Sequence, residues 1–238
     1  MPLSAYNKFV MVSSDDDQQA IHGLLKDIHS NDATAEFTFL NIYKELPIVS
    51  SSRIFELKKK TVEFTTSSTQ FFILNEAKEV IIQSNLMNTS IIGKVLEMDN
   101  RRFQVTLGEF SYAELHADKR NCVRVRLKLP LQPQIMVDGN VLSGVINDIS
   151  LGGVCVRTFA GELMERARKI ELKIKLLHCG SQEVMETLIP SRLARIDKKD
   201  IQARCAMIFE HTPQSERVLS TFIYQRQLEI IKEIKSKV

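Results

Sequence analysis

Two short segments carry the side chains whose type and spacing could do chemistry. Lys119-Arg120-Asn121-Cys122-Val123-Arg124 offers two guanidinium groups four residues apart. Asn147-Asp148-Ile149-Ser150-Leu151-Gly152-Gly153 offers a carboxylate, a hydroxyl and two bare backbone positions. Guanidinium forks chelate phosphate and also read the N7/O6 edge of guanine. A carboxylate accepts from ring N–H and exocyclic amine donors, and glycine lets a ligand approach the backbone. A guanine nucleotide suits this set better than a sugar or a plain acid.

Both segments must be held by the elements around them, and those read as mainly β. The acidic run Asp15-Asp16-Asp17 can cap and favourably charge a helix that ends near His29, with Ile21, Leu24, Leu25 and Ile28 as its apolar stripe. From Ala33 the period drops to two. Strands are expected at 35–40, 53–57, 61–65, 80–82, 91–96 and 103–107, with a turn at Asp99-Asn100. Several short strands behind one helix suggest a small β-barrel.

After a connector, alternation resumes at 123–129, 134–137, 142–147, 154–157, 169–177, 185–196 and 201–209. Asp138-Gly139 is a two-residue hairpin signal. About six antiparallel strands would close a second barrel. Thr212 as N-cap and Pro213 at the first helical position open a C-terminal helix striped by Val218, Leu219, Phe222, Ile223, Ile230, Ile231 and Ile234. That stripe packs on the barrel or, in part, docks a second subunit to form a homodimer. The expected divisions are a lead-in at 1–13, a first barrel at 14–111, a linker at 112–124 and a second barrel with its helix at 125–238.

Charge divides the chain at the same place. Residues 1–117 hold 11 Lys and Arg against 15 Asp and Glu, whereas residues 118–238 hold 21 against 14. The sign changes where the arginine segment begins, which favours an anionic ligand for the second half. Cys122, Cys155, Cys179 and Cys205 are widely spaced and form no CxxC pair, so they read as reduced thiols in a cytoplasmic protein. The start lacks a signal-peptide profile, and no apolar run reaches membrane-spanning length, the longest being clusters such as Phe71–Leu74.

Arg120 and Arg124 as RxxxR, followed by Asp148, Ser150 and Gly153 as DxSxxG, resemble the signature of PilZ domains, bacterial receptors for cyclic di-GMP. Gln18–His29 and the β-rich stretch after it resemble the N-terminal domain of the flagellar-brake (YcgR-like) family. The resemblance implies a six-stranded antiparallel PilZ barrel with a C-terminal helix. It further implies that Arg120 and Arg124 contact guanine edges and phosphates, the linker wrapping round the ligand. Asp148 and Ser150 would bond a guanine and nearby polar atoms, Gly153 would keep the turn close, and Lys119 and Gly152 complete the implied ligand-binding set. Lys119 stands where the family often has arginine, so a point charge replaces a planar stacking fork there. The implied output is a changed interdomain arrangement acting on a protein partner such as the flagellar motor, in motility, biofilm or virulence.

Taken alone, each segment has a plainer reading. Arg120 and Arg124 could be a basic linker making weak surface ion pairs, and residues 148–153 an ordinary turn. Their order, spacing and coincidence with the charge switch favour the ligand. Cys122 lies among cations that can activate a thiol, but a bystander role suits it better. His22 and His29 are two turns apart on the first helix, too far for a metal pair, and Lys58-Lys59-Lys60 reads as a charge-protected strand edge. No G-x-S-x-G, P-loop, GxGxxG or HExxH pattern is present, so the chain reads as a receptor without cofactor or metal rather than an enzyme. The competing class is a nucleic-acid-binding small barrel. It is weakened by the absence of Trp and by only four Tyr in the chain.

Overall fold

Ser13 opens the first helix as the acidic run requires: its hydroxyl accepts from the Asp16 amide at 3.1 Å. Asp17, though almost fully buried, is satisfied by the Met11 and Val12 amides, which donate to its carboxylate at 2.8 and 3.2 Å. The computed structural model describes residues 6–115, 122–177, 183–198 and 200–237. Lys119, Arg120 and Cys179 lie outside them. Chain contacts divide it into two units, residues 1–43, 47–120 and 233–238, and residues 44–46 and 121–232.

The first unit runs β1 (Tyr6–Phe9), α1 (Ser14–Asn31), β2 (Phe37–Tyr43), β3 (Leu46–Leu57), β4 (Val62–Thr65), α2 (Ser68–Ala77), β5 (Glu79–Gln83), β6 (Ser90–Asp99) and β7 (Gln104–Leu115). Its strand order is β1-β7-β4-β3-β2-β5-β6, and β6 returns to pair with β7. Six strands therefore close into a ring, with β1 added beside β7, and closure removes the exposed edges of an open sheet. The core combines Ile21, Leu25 and Ile28 of α1 with Phe37, Phe39, Phe64, Ile82, Ile91, Val105 and Leu107 of the strands. Phe64 meets Phe37 and Phe39 edge-on, with ring centroids 5.6 and 5.0 Å away.

Residues 6–9 of the lead-in form β1, which pairs antiparallel with the end of β7, Tyr6 opposite Leu115. Two features of this unit depart from the expected layout. Because β7 continues to Leu115, residues 112–115 of the expected linker are strand. The cluster Phe71–Leu74 lies in a helix, α2, that the sequence does not reveal because four consecutive apolar residues show no period, although burial at Gln70, Phe71, Ile73 and Leu74 follows one helical face. Ser67 caps α2 by accepting from the Gln70 amide at 3.2 Å. Among the described residues no helix is long and apolar enough to cross a membrane.

The second unit is built from β8 (Arg124–Leu131), β9 (Gln134–Val137), β10 (Asn140–Ser143), β11 (Val145–Ser150), β12 (Gly153–Thr158), α3 (Gly161–Arg166), β13 (Ile170–Leu177), β14 (Val184–Asp197), β15 (Ala203–Phe209) and α4 (Pro213–Lys235). The sheet order is β10-β9-β13-β14-β15-β12-β11-β8. Asp138 and Gly139 have φ of 47° and 88°, the double positive φ of the tight hairpin their sequence signals. The strand expected over 142–147 is two, β10 and β11, parted at Gly144. A Cβ there would lie 2.4 Å from Val156 Cγ1, so only bare backbone passes. That division turns the seven expected runs, read as a barrel of about six strands, into eight strands.

Alternate residues are buried along β13 and β15, which defines an inner and an outer face. The helix α4 begins as its sequence signals. The Ser215 amide donates to Thr212 Oγ1 at 3.2 Å, and the Thr212 amide donates back to Ser215 Oγ at 3.0 Å. Leu219, Phe222, Ile223 and Ile230 are buried along it. Arg226, only 3 % exposed, fixes α4 to β8 by donating to the Arg126 carbonyl at 2.9 Å and to Glu229 at 2.7 Å.

Cys205 sits on the inner face, where burial, with Cys155 nearby, pushes its thiol up to about 11. At pH 8 it is therefore protonated as well as covered, and only the thiolate is nucleophilic. Iodoacetamide followed by mass spectrometry should leave Cys205 unmodified in the native chain and label it once urea unfolds the domain. Rapid native labelling of Cys205 would contradict its inner-face placement.

Candidate functional site

The two chemistry-bearing segments meet across one ladder. Arg124 pairs with Ser150, Val125 with Ile149, and Arg126 with Asp148 in the antiparallel β8–β11 pair. Directly opposed residues share a face. Val125 and Ile149 are fully buried, so Arg124, Arg126, Asp148 and Ser150 belong to the other, outer face. Ser150 in turn pairs with Gly153 of β12. Arg124 is thus the first residue of an edge strand rather than the last residue of a loose connector, and the ladder fixes its Cα. Lys119 and Arg120 fall outside the described residues.

A register shift between Ile146 and Ile149 interrupts β11 against β12, and another between Ile146 and Asp148 interrupts it against β8. Such a bulge re-aims a side chain out of the regular pleat. It lets Ile146 and Ile149 both reach the core and leaves Asn147 and Asp148 between them. The Asp148 carboxylate lies 4.0 Å from Arg124 Nη1, both groups being roughly one-third exposed. A pair so long and so wet contributes well under about 1 kcal/mol. Each partner is consequently available to a better-fitting group.

Ser150 is 6 % exposed, and its hydroxyl donates to the Gly153 carbonyl at 2.9 Å. Its lone pairs remain as acceptors. The two glycines differ sharply. A Cβ on Gly153, whose φ is 157°, would sit 2.1 Å from the Met207 carbonyl oxygen of β15, which no side chain tolerates. A Cβ on Gly152 would meet Cys122, its Sγ at an ordinary 3.4 Å and its Cβ at 3.8 Å. The sequence segment read as a turn is mostly strand, since β11 ends at Ser150, β12 starts at Gly153, and only Leu151 and Gly152 turn.

Three neighbours were not singled out from sequence as part of this site. Arg126 is exposed on the Arg124 face, and counting by two from Arg124 would have placed it there. Cys122 lies against Gly152. His211 reaches the turn from sixty residues away, its Nε2 2.6 Å from the Leu151 carbonyl, and no local pattern signals a contact of that range.

Residues 118–225 match the model of the PilZ domain family. No curated protein matches the chain significantly. Among solved structures, YcgR from Escherichia coli in complex with c-di-GMP is 14% identical and aligns over 96% of this chain and 100% of its own, with a TM-score of 0.38. The PilZ domain of Escherichia coli YcgR with c-di-GMP is 22% identical, over 50% of this chain and 99% of its own, at 0.38. The MrkH–c-di-GMP complex from K. pneumonia is 14% identical, over 98% and 100%, also at 0.38.

Proposed function

Residues 118–225 constitute a PilZ domain, and from that premise we propose that the chain is a receptor for cyclic di-GMP. The observation that carries the reading is the ladder register, which sets Arg124, Asp148, Ser150 and Gly153 on adjacent strands of one outer face. Arg124 grips a phosphate or the N7/O6 edge of a guanine with its fork. Asp148 accepts from guanine N1–H and the exocyclic amine. The loose Arg124–Asp148 pair gives way to the ligand without stranding either charge, because each finds a counterpart on it. Arg120, four residues ahead of Arg124 in the sequence, supplies a second guanidinium to the ligand.

Ligand closure then biases the arrangement of the two units to the extent that the closed form binds more tightly. A protein partner reads that change, in a motility, biofilm or virulence output. The domain acts by binding, not by catalysis.

Guanine offers acceptors at N7 and O6 and donors at N1 and its 2-amino group, whereas adenine has an amine donor at position six, an acceptor at N1 and no 2-amino group. Each lost bidentate contact costs about 1–3 kcal/mol. Fluorescently labelled cyclic di-GMP bound to the chain should be displaced by unlabelled cyclic di-GMP, and cyclic di-AMP at the same concentration should not compete. Equal displacement by the two would mean that only phosphate is read, and would overturn the reading of a guanine-specific receptor.

A further inference from the structure

The Leu151-Gly152 hairpin is held in an unusual way. Two-residue hairpins favour positive φ at their central positions, as Asp138 and Gly139 show. Neither Leu151 nor Gly152 has a positive φ, so this turn lacks the backbone twist that keeps such strands together. Both turn carbonyls are instead bonded from the end of β15 and the link that follows it to α4. The Phe209 amide donates to the Gly152 carbonyl at 3.2 Å. His211 Nε2 lies 2.6 Å from the Leu151 carbonyl. A carbonyl only accepts, so Nε2 carries the proton.

The imidazole is itself fixed on three sides. Nδ1 lies 3.2 Å from Ser215 Oγ, whose residue is 1 % exposed and serves the N-terminal cap of α4. Phe209 meets the ring edge-on, 5.5 Å between centroids. In a trans peptide the C=O and the following N–H point in opposite directions. Pinning the Leu151 carbonyl to His211 therefore aims the Gly152 N–H away from the α4 junction. That amide has no acceptor among the described residues.

We propose that His211 is a positioning residue of the ligand site. By holding the Leu151–Gly152 peptide in one orientation, it presents the Gly152 N–H as a preset donor to an anionic oxygen of the ligand. The inference rests on the receptor reading above and adds to it a backbone donor and the side chain that aims it. Released from His211, the peptide can flip and direct a carbonyl toward the ligand, replacing attraction by repulsion. Gly152 then matters for its amide and not for its missing side chain, since a Cβ there is accommodated.

The test compares wild type, His211→Ala and His211→Gln by calorimetric titration with cyclic di-GMP. Hydrogen exchange of the Gly152 amide with and without ligand, and urea unfolding, are measured alongside. A glutamine places an amide N–H near the Nε2 position. His211→Ala should weaken binding about tenfold and abolish ligand-induced protection of Gly152, a loss exceeding any change in unfolding midpoint. His211→Gln should recover most of the affinity and the protection. Wild-type affinity in His211→Ala, equal losses in both variants, or an unprotected Gly152 amide in the wild-type complex would each overturn the positioning role while leaving the receptor reading intact. No binding by the wild type would overturn the receptor reading, and this inference with it.

Discussion

Arg124→Ala should reduce affinity for cyclic di-GMP by roughly 10- to 150-fold with little effect on folding. Removing one side of a charge-assisted hydrogen bond costs about 1.5–3 kcal/mol, and each 1.4 kcal/mol or so is a factor of ten. The fold should hardly notice. Arg124 is an end residue of an edge strand, its side chain is 37% exposed, and its contact with Asp148 stretches to 4.0 Å. Backbone pairing with Ser150 does not depend on the side chain. Calorimetry and urea unfolding of the same preparation separate the two effects. Undiminished affinity would remove Arg124 from the site; a collapsed unfolding transition would make its role structural. Lys58→Ala is a suitable control, because Lys58 belongs to the first unit and pairs with Glu63 at 3.2 Å on its surface.

Gly153→Ala should be the most damaging single methyl in the second unit. The added carbon would stand 2.1 Å from the Met207 carbonyl oxygen, and neither atom belongs to a flexible side-chain end. Relief requires β12 and β15 to part where Gly153 opposes Ile208, and those strands lie inside the sheet. Overpacking ordinarily costs about 1–3 kcal/mol and sometimes more, and the φ of 157° adds strain that glycine alone escapes. A total of roughly 2–5 kcal/mol would take a large share of the ~5–15 kcal/mol that holds a typical domain. The urea midpoint should fall steeply and ligand binding should fall with it. Gly152→Ala, one residue away, should stay within about 0.5 kcal/mol of wild type. Equal stability of the two alanine variants would contradict the close approach of β12 to β15.

The contrast between these glycines marks how far the sequence could be read. Asp148, Ser150 and Gly153 stood out by type and spacing, and alternation located most strands of the second unit. The boundary between turn and strand inside 148–153 did not show, because Asp, Ser and Gly are turn formers by composition and here a bulge keeps them in the ladder. α2 stayed hidden because its apolar residues cover more than one face, which erases the helical period. Gly144 breaks one apparent strand into two because Val156 fills the space a side chain would need, a contact set by tertiary packing. His211 was invisible for the same reason, as its partner lies on another element. The closed ring of the first unit depends on β7 pairing not only with its hairpin neighbour β6 but also with the distant β4, Val62 opposite Leu107, and pairing at that range leaves no local trace.

The most direct test of the receptor reading is isothermal titration of the intact chain with cyclic di-GMP, run beside Asp148→Ala. Among the described residues of the cluster Asp148 is the single carboxylate, and its partial exposure and loose pairing make its loss harmless to the fold. The wild type should give saturable heat with a defined stoichiometry, and Asp148→Ala, unfolding at the same urea concentration, should give little or none. Absence of saturable binding by the wild type, or equal affinity in the two proteins, would contradict it.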